Sequence, residues 1–454
     1  MVPTDPSVEP PQAPLDTPPD RAILPLDRID PDAVRVVRRL RRAGHEAYLV
    51  GGCVRDLYLG LTPKDFDVAT SATPEQIRRL FRNSRIIGRR FRIVHVYFGR
   101  KIIETSTFRA PPAEAGSDDD PLILHDNEWG TIEDDAYRRD FTINALFFDV
   151  DERRVVDLVG GLDDLDARVV RTIGEPALRF REDPVRMMRA IKFAARLGFE
   201  IDPKTWQALL EVAPDIARCS RARLLEETYK ILRGGASAES FALMVRSGLA
   251  EHLLGPYVAL FSEGGGLVAP DQAEPGSHAD LLYRHLEALD DYHRNTGLVA
   301  PNSVLVATLF APLLGEQPTQ IPRREVSDRL DRMLGEVGGQ LGMARRDRER
   351  ARQILMGIHR MMAKRRRKRS SIVHREYFHD ALIFLGVSVG ALGRGDSELA
   401  FWRALAKTQP PAPDGAKEPA RRKRRRRRPR KKKGSKPADR GPTVASERDA
   451  DPGP

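Results

Sequence analysis

The chain has 454 residues, of which 41% are hydrophobic, and its formal net charge at pH 7 is +11. This length allows about two or three domains, and a content of two cysteines excludes a disulfide-rich scaffold and a multi-cysteine zinc site. Segments 364–369 and 421–433 carry six and twelve positive charges and no acidic residue, so the other residues have a net charge of −7. Positive charge concentrated in this way indicates a polyanionic partner such as a nucleic acid.

Residues 1–28 are predicted to be a disordered, proline-rich leader. No basic residue precedes Arg21, so the leader lacks the features of a signal peptide, and the apolar runs of the chain are too short to span a membrane. We therefore expect a cytoplasmic protein with no membrane partner. The first helix is predicted to begin at Asp30 and Pro31 and to end at Gly44.

An α/β head is predicted for residues 29–175, with a mixed sheet of about five strands. Its predicted elements, in chain order, are a strand at Tyr48–Val50, a helix at Val54–Leu59, a strand at Lys64–Ala69, a helix from Thr73 to Phe81, a hairpin of Ile93–Phe98 and Lys101–Phe108, and a hairpin of Arg154–Leu158 and Val169–Ile173. Between the hairpins, residues 110–130 combine proline, glycine and an acidic run, which predicts a mobile insertion.

From Glu182 to about residue 407 the apolar residues recur with a helical period. We predict a neck of helices at 176–240, an α-helical body at 241–410 and a disordered basic tail at 411–454. The predicted fold class is therefore α+β, with an α/β head that contains a mixed sheet, followed by an all-α neck and body.

Gly51 and Gly52 stand between a predicted strand and a predicted helix, where glycine lets an anion approach backbone N–H groups. Arg55 follows one turn later. Asp65 and Asp67 are two residues apart in a predicted strand, so both carboxylates would lie on one face and would need a cation between them. A Gly-Gly pair alone is more often a turn, and Asp-x-Asp alone a solvated strand end. Their joint spacing favours a site for Mg²⁺ and nucleotide phosphates.

Four sequence blocks carry a resemblance to a known family: LVGGCVRD with KDFD, IIETSTFR, RRDFTINALFFD, and REDPVRMMRAIKFAARLGF. Through them, residues 45–235 resemble the branch of the nucleotidyltransferase superfamily that contains bacterial poly(A) polymerases and tRNA CCA-adding enzymes. The resemblance implies that an RNA 3′-hydroxyl attacks the α-phosphate of a nucleotide and that pyrophosphate is released. It also implies ATP as substrate and two Mg²⁺ ions at the active site.

By this resemblance, Asp65 and Asp67 bind the metal ions, and the Gly-Gly loop holds the triphosphate. Asp140 follows Arg139 in a motif associated with ribose recognition and the active site, so we predict that Asp140 is catalytic together with the two metal-binding aspartates. Glu104, on the neighbouring predicted strand, is either a third carboxylate on the metal side or an outward-facing polar residue.

Asp183, Arg186 and Arg189 are spaced three residues apart in a segment that is predicted to open a helix. Taken alone, such a segment is more often a helix cap followed by an exposed, salt-bridged face. The resemblance assigns Asp183 and Arg186 to the base edge of the incoming nucleotide, for which carboxylate acceptors and guanidinium donors are suited. The predicted nucleotide-binding residues are thus Gly51, Gly52, Arg55, Arg139, Asp183, Arg186 and Arg189.

The stretch from Ile86 to Val96 resembles the signature that separates bacterial poly(A) polymerases from CCA-adding enzymes, and a Lys/Arg-rich C-terminal extension is a second poly(A) polymerase trait. The basic runs could instead be an exposed helix end and a solvated tail, but sequence-independent phosphate contacts suit an enzyme that meets many RNA 3′ ends. The predicted RNA-binding residues are Arg89, Arg90, Arg92, Lys364, Arg365, Arg366, Arg421, Arg422, Lys423 and Arg424.

We therefore expect a template-independent polymerase that adds AMP from ATP to RNA 3′ ends, in mRNA polyadenylation and RNA turnover. Its expected partners are mRNA and other transcripts, and RNA-decay proteins are further candidates that the sequence does not identify. Two alternatives stay open. One is a CCA-adding tRNA nucleotidyltransferase, which shares the chemistry, and the other is a non-catalytic RNA-binding protein on the same fold.

Overall fold

The computed structural model describes residues 24–88, 92–110, 128–316, 321–362 and 372–407. Most of the predicted leader, most of the predicted insertion and the predicted tail lie outside these residues. So do the following predicted RNA-binding residues: Arg89, Arg90, Lys364, Arg365, Arg366, Arg421, Arg422, Lys423 and Arg424. The prediction that the disordered leader extends to residue 28 is wrong, because Leu24 is buried in the core and Leu26–Arg28 form a 3-10 helix.

Helix α1 (Pro31–Arg42) begins where its sequence predicts. Asp30 caps the helix by accepting a hydrogen bond from the backbone N–H of Asp32, and Pro31 occupies the first turn, where its missing N–H costs nothing. The buried face of α1 packs on the sheet of the head, and its apolar residues are Ala33, Val36, Val37 and Leu40.

Within the described residues, seven strands form one mixed sheet. The strands are β1 (Ala47–Val50), β2 (Asp67–Thr70), β3 (Ser84–Ile87), β4 (Ile93–Phe98), β5 (Lys101–Thr107), β6 (Leu146–Asp149) and β7 (Arg154–Asp157). Their spatial order is β3-β4-β5-β2-β1-β6-β7, and β2 and β5 are parallel while the other neighbours are antiparallel. The prediction of a mixed sheet is confirmed, but the sheet has seven strands rather than about five, and neither β3 nor β6 was predicted.

The predicted second hairpin is wrong, because a helix replaces its turn. Helix α5 (Gly161–Ala167) follows β7, and the Asp157 carboxylate accepts hydrogen bonds from the backbone N–H groups of Gly161 and Leu162. Because these hydrogen bonds favour the start of a helix just after Asp157, strand β7 ends at that residue. The next strand, β8 (Val169–Val170), pairs in parallel with β9 (Glu200–Ile201) in a separate two-stranded sheet.

Six further helices belong to the head and the predicted neck: α2 (Gly52–Tyr58), α3 (Pro74–Leu80), α4 (Ile132–Arg138), α6 (Pro176–Glu182), α7 (Val185–Leu197) and α8 (Pro203–Val212). The prediction that Glu182 opens a helix is wrong, because Glu182 ends α6. Asp183 then has an extended backbone, with φ −149° and ψ 91°, and Pro184 caps α7. The break between α6 and α7 follows from the conflict between proline and a helical residue before it.

Ten further α-helices follow in the described ranges, of which α9 lies within the predicted neck and α10 crosses the predicted boundary with the body. They are α9 (Arg221–Leu232), α10 (Ser237–Arg246), α11 (Leu249–Val258), α12 (His278–Thr296), α13 (Asn302–Phe310), α14 (Arg323–Arg332), α15 (Gly338–Gln340), α16 (Arg345–Met361), α17 (Phe378–Leu392) and α18 (Asp396–Lys407). A continuous cluster of buried apolar side chains extends from Leu40 through Phe193 to Trp402, so the helices pack onto the head without a gap. In the described residues, no helix combines the length and apolarity that crossing a bilayer requires.

Candidate active site

A cleft of about 520 Å³ lies between the sheet and helices α7 and α9. Residues from four strands reach it, because β1, β2, β4 and β5 are neighbours or near neighbours in the sheet. Most of the predicted site residues in the described ranges line this cleft together, namely Asp67, Glu104, Arg139, Asp140, Asp183, Arg186 and Arg189.

The carboxylates of Asp67 and Glu104 lie on one face of the sheet, because the two residues are register partners on the parallel strands β2 and β5. Burial, the Glu104 carboxylate and, more weakly, Asp65 raise the pKa of Asp67 to about 6, while Arg139 opposes this rise. Asp65 is exposed and precedes β2, so the prediction that both aspartates belong to one strand is wrong. The Asp65 carboxylate is nevertheless close enough for its charge to raise the pKa of Asp67.

The carboxylates of Asp65, Asp67 and Glu104 are suitable ligands for a magnesium ion that would also bind nucleotide phosphates. In the described ranges, no group of three or more His, Cys, Asp or Glu side chains is arranged to hold a metal by itself. Mg²⁺ is commonly held by one or two carboxylates together with substrate phosphates. Burial and then the charge of Glu104 raise the pKa of Asp67, and a divalent cation bound there would stabilise its carboxylate against both effects.

Gly51 brings Arg139 close to the backbone at the end of β1. Its φ of +75° is a conformation that side chains rarely adopt, and an added Cβ would lie 3.3 Å from Nη1 of Arg139. Arg139 also pairs with Asp135 at 2.8 Å and lies over the ring of Phe147. Gly52, also predicted as a nucleotide contact, starts α2. The glycine at position 51 is thus required for the close approach of a cleft arginine.

Arg55 does not line the cleft, although it was predicted to contact the nucleotide. Its side chain is 2% exposed and donates hydrogen bonds to Asp56 and to the amide oxygen of Asn144. The amide nitrogen of Asn144 in turn donates to Asp140 at 3.1 Å. Arg55 therefore orients Asp140 through Asn144, a residue that was not predicted although it lies in the block RRDFTINALFFD.

Asp140 holds helix α7 against the head. Arg189 Nε donates to Asp140 Oδ2 at 2.6 Å. Burial by itself would raise the pKa of Asp140, but the charge and hydrogen bond of Arg189, with the Asn144 amide, lower it to about 2. Because both of its oxygens already accept hydrogen bonds from the chain, Asp140 is held in one orientation as a carboxylate.

Asp183 offers a free acceptor at the junction of α6 and α7. Its Oδ2 accepts a hydrogen bond from Arg223 at 2.9 Å, whereas its Oδ1 is buried and has no partner among the described residues. Arg186 donates to Glu182 at 2.8 Å and to the carbonyl of Arg179 at 2.9 Å. Arg223 was not predicted, since it comes from α9, forty residues later in the chain.

Several arginines crowd the same cleft. Burial, together with the charges of Arg109, Arg179 and Arg186, lowers the pKa of Arg138 to about 10. Arginines so close together repel one another unless an anion lies between them. Arg92, predicted to bind RNA, instead pairs with Glu75 and does not line the cleft.

Comparisons with known proteins agree with this geometry. Residues 47–171 match the family model described as the poly A polymerase head domain, and residues 198–261 match the probable RNA and SrmB-binding site of polymerase A. The chain is 43% identical over 293 residues to poly(A) polymerase I of Salmonella typhi. Over these segments the chain is similar to the poly(A) polymerase family. The resemblance predicted from the sequence blocks is thereby confirmed.

The poly(A) polymerase family also has CCA-adding relatives. The match to the Salmonella enzyme covers 63% of this chain and 61% of that relative, so it spans about three fifths of the relative's length. The CCA-adding enzyme of Leuconostoc mesenteroides is 40% identical over 235 residues, which is 52% of this chain and 57% of that enzyme. The crystal structure of the Bacillus stearothermophilus CCA-adding enzyme in complex with CTP matches this chain with a TM-score of 0.56 and 25% sequence identity. The match covers 84% of this chain and 82% of the Bacillus enzyme chain.

Proposed function

We propose that the chain is a template-independent polynucleotide adenylyltransferase that transfers AMP from ATP to RNA 3′ ends and releases pyrophosphate. The observation that carries the proposal is one cleft that combines Asp67 and Glu104 with the free acceptor of Asp183 and a group of arginines. The match of residues 47–171 to the poly A polymerase head domain and the 43% identity to a poly(A) polymerase support the same reaction. We place this activity in the cytoplasm, in mRNA polyadenylation and RNA turnover.

Asp65 and Asp67 are the residues that would hold Mg²⁺. The metal supplies activation of the RNA 3′-hydroxyl and neutralisation of the pyrophosphate leaving group. Arg138 and Arg139 line the cleft, where they would stabilise the triphosphate charge. The repulsion that neighbouring arginines exert on Arg138 falls when the anion binds. Asp140, fixed by Arg189 and Asn144, keeps α7 and its base-reading junction in a constant position relative to the carboxylates.

Asp183 would select the base. Its unpartnered Oδ1 can accept a hydrogen bond from an exocyclic amine, which adenine and cytosine carry. Guanine and uracil present a carbonyl oxygen at the equivalent position, so a carboxylate disfavours them. The side chain therefore accounts for selection of ATP and CTP over GTP and UTP, and other contacts must separate ATP from CTP.

The main alternative is a CCA-adding tRNA nucleotidyltransferase, because relatives of both kinds match and Asp183 suits both bases. The greater identity to poly(A) polymerase I and the segment 421–433, with twelve basic residues, favour polyadenylation. A non-catalytic RNA-binding protein is disfavoured by the presence of Asp65, Asp67 and Asp140 together.

The deciding experiment offers the purified protein ATP or CTP separately, with a generic RNA and with a tRNA that lacks its CCA end. Long A tracts on both RNAs, without use of CTP, are expected. Addition of CTP to the tRNA alone would support the CCA-adding alternative. Absence of any pyrophosphate release with Mg²⁺ present would overturn both, and the Asp67→Asn variant serves as the inactive control.

A further inference from the structure

A second cleft, of about 710 Å³, lies on the head beside helix α1. One wall is the exposed face of α1, and the other consists of the segment before β3 and the end of β4. Five arginines line it, and none of the lining residues is acidic. The arginines are Arg35, Arg38, Arg39, Arg42 and Arg82.

The four arginines of α1 form a stripe, because their spacing of three, four and seven residues places them on one helix face. Arg35 pairs with Asp32 and Arg38 with Asp151, but Arg39, Arg42 and Arg82 have no acidic partner in the described part of the chain. Like charges at this spacing destabilise a helix. The favourable effect of basic residues on the helix dipole is limited to the last turn and does not account for Arg35 or Arg82.

Aromatic rings form part of the opposite wall. Phe98 lines the cleft and is partly exposed, and Asn83 holds this edge by donating a hydrogen bond to the carbonyl of Tyr97 at 2.9 Å. The Tyr97 ring lies on the other face of the sheet, with its centroid 6.3 Å from that of the His95 ring. Arg39 lies over the ring of Phe81 at 5.1 Å. Basic grooves that follow a phosphate backbone, with rings on which bases stack, are typical of single-stranded nucleic acid binding. An acidic polypeptide would use the arginines but not the rings.

The two clefts share strand β4 but lie on opposite faces of the sheet. Ile93 lines the candidate active site, whereas Val96 and Phe98, which alternate to the other face, line the second cleft. In the described sheet only β3 lies beyond β4, so RNA that leaves the active site reaches the second cleft by passing around that edge. The stripe from Arg35 to Arg42 is about 10 Å long, which matches the rise of about three stacked nucleotides.

We propose that this cleft binds the backbone of single-stranded RNA upstream of the 3′ end, with Arg39, Arg42 and Arg82 contacting phosphates and Phe98 stacking on a base. This assignment rests on the proposed function for one point, namely that the substrate is RNA. It is tested by binding, which requires no nucleotide transfer, so a failure of the cleft and a failure of the adenylation proposal give different results.

The test uses the full chain with the triple variant Arg39→Gln, Arg42→Gln, Arg82→Gln. Binding of an oligo(A) of about 20 nucleotides, longer than the about 4–16 nucleotides that one binding site covers, is followed by fluorescence anisotropy over a range of KCl concentrations. Removing three phosphate-binding charges should lower the slope of log K against log salt by about 2 and weaken binding about tenfold or more. The triple variant should add AMP to a primer of about 4 nucleotides at the wild-type rate, because so short a primer does not reach the second cleft.

Three further variants make the result specific. The corresponding triple lysine variant keeps the charge and should retain the salt slope. Phe98→Leu should weaken binding about fivefold or more without changing the slope. The matched control neutralises three exposed arginines of the body that have no ion pair among the described residues, Arg332, Arg345 and Arg346. An unchanged slope in the cleft variant would overturn the proposal. If the triple glutamine variant bound RNA as the wild type does but no longer bound poly-glutamate, the cleft would be assigned to an acidic polypeptide instead.

Discussion

At the residue scale, burial and the carboxylates of Glu104 and Asp65 raise the pKa of Asp67 to about 6, from about 4 in an unfolded chain. The folded chain therefore holds a proton on Asp67 between about pH 4 and pH 6 that the unfolded chain releases. The free energy of unfolding falls as the pH rises through this interval, and the penalty is complete above about pH 6.

The variant Asp67→Asn removes this charge. At neutral pH without Mg²⁺ we expect its free energy of unfolding to exceed that of the wild type by about 1–3 kcal/mol, and the gain should vanish below about pH 4. Adenylation should fall about a thousandfold, since the variant removes a metal ligand. Urea unfolding at several pH values and a nucleotide addition assay measure the two effects.

Mg²⁺ and a matched variant provide the controls for Asp67→Asn. Mg²⁺ should raise the unfolding temperature of the wild type and not of this variant, because a ligand that binds only the folded state stabilises it. Asp328→Asn removes an exposed carboxylate on α14 and should change neither property. Equal stabilisation of wild type and Asp67→Asn by Mg²⁺ would refute the metal assignment.

Asp183 allows a second test at the same scale, on base selection. The variant Asp183→Ala should reduce the ratio of kcat/KM for ATP to that for GTP by about 10–100-fold, because it removes a charged acceptor for the adenine amine. Asp183→Asn keeps one acceptor oxygen and should retain part of the selectivity. An unchanged ratio in the alanine variant would mean that the base is read elsewhere.

At the scale of elements, helix α7 is held on the head by Arg189 and Asp140. Arg189→Met should lower the free energy of unfolding by about 2 kcal/mol, less than for a fully buried pair because the Arg189 side chain is 34% exposed. A double-mutant cycle with Asp140→Asn should recover part of this loss. Additive losses in the cycle would mean that the pair does not couple the two elements.

The same pair gives a pH dependence with a defined sign. Arg189 and Asn144 hold the pKa of Asp140 at about 2, below its unfolded value, so the stabilisation is complete above about pH 4 and is lost as the pH falls through about 2. The difference in unfolding free energy between wild type and Arg189→Met should therefore shrink on acidification over this interval. A difference that grows would have the wrong sign for this assignment.

Elements also show where local patterns were insufficient. The prediction of a hairpin at 154–173 failed because Asp157 caps α5 through its carboxylate, a contact that strand propensity does not register. The prediction of a helix from Glu182 failed because Pro184 divides α6 from α7. That division gives Asp183 an extended backbone in the cleft, so the error fell on a residue of functional interest.

At the scale of the whole molecule, the segment 421–433 adds twelve positive charges to a chain whose other parts are acidic overall. Deleting 411–454 should weaken binding of single-stranded RNA and reduce its salt slope by about 0.7 for each phosphate that the tail neutralises. The KM for ATP should not change, since the candidate active site is built from residues 50–230. Filter binding at several salt concentrations measures the slope, and an equal slope would show that the tail binds no phosphates.

The sequence by itself determined the family resemblance, the α+β fold class and seven of the residues that line the cleft, because short motifs such as the Gly51 turn and the Asp67 strand fix local geometry wherever they occur. Tertiary structure alone decided which partners these residues meet. Arg223 reaches Asp183, Arg189 reaches Asp140, and the arginines of α1 face the end of β4, all across long separations in sequence. Periodicity and capping signals describe neighbours along the chain, whereas such contacts depend on how the helices pack against the sheet.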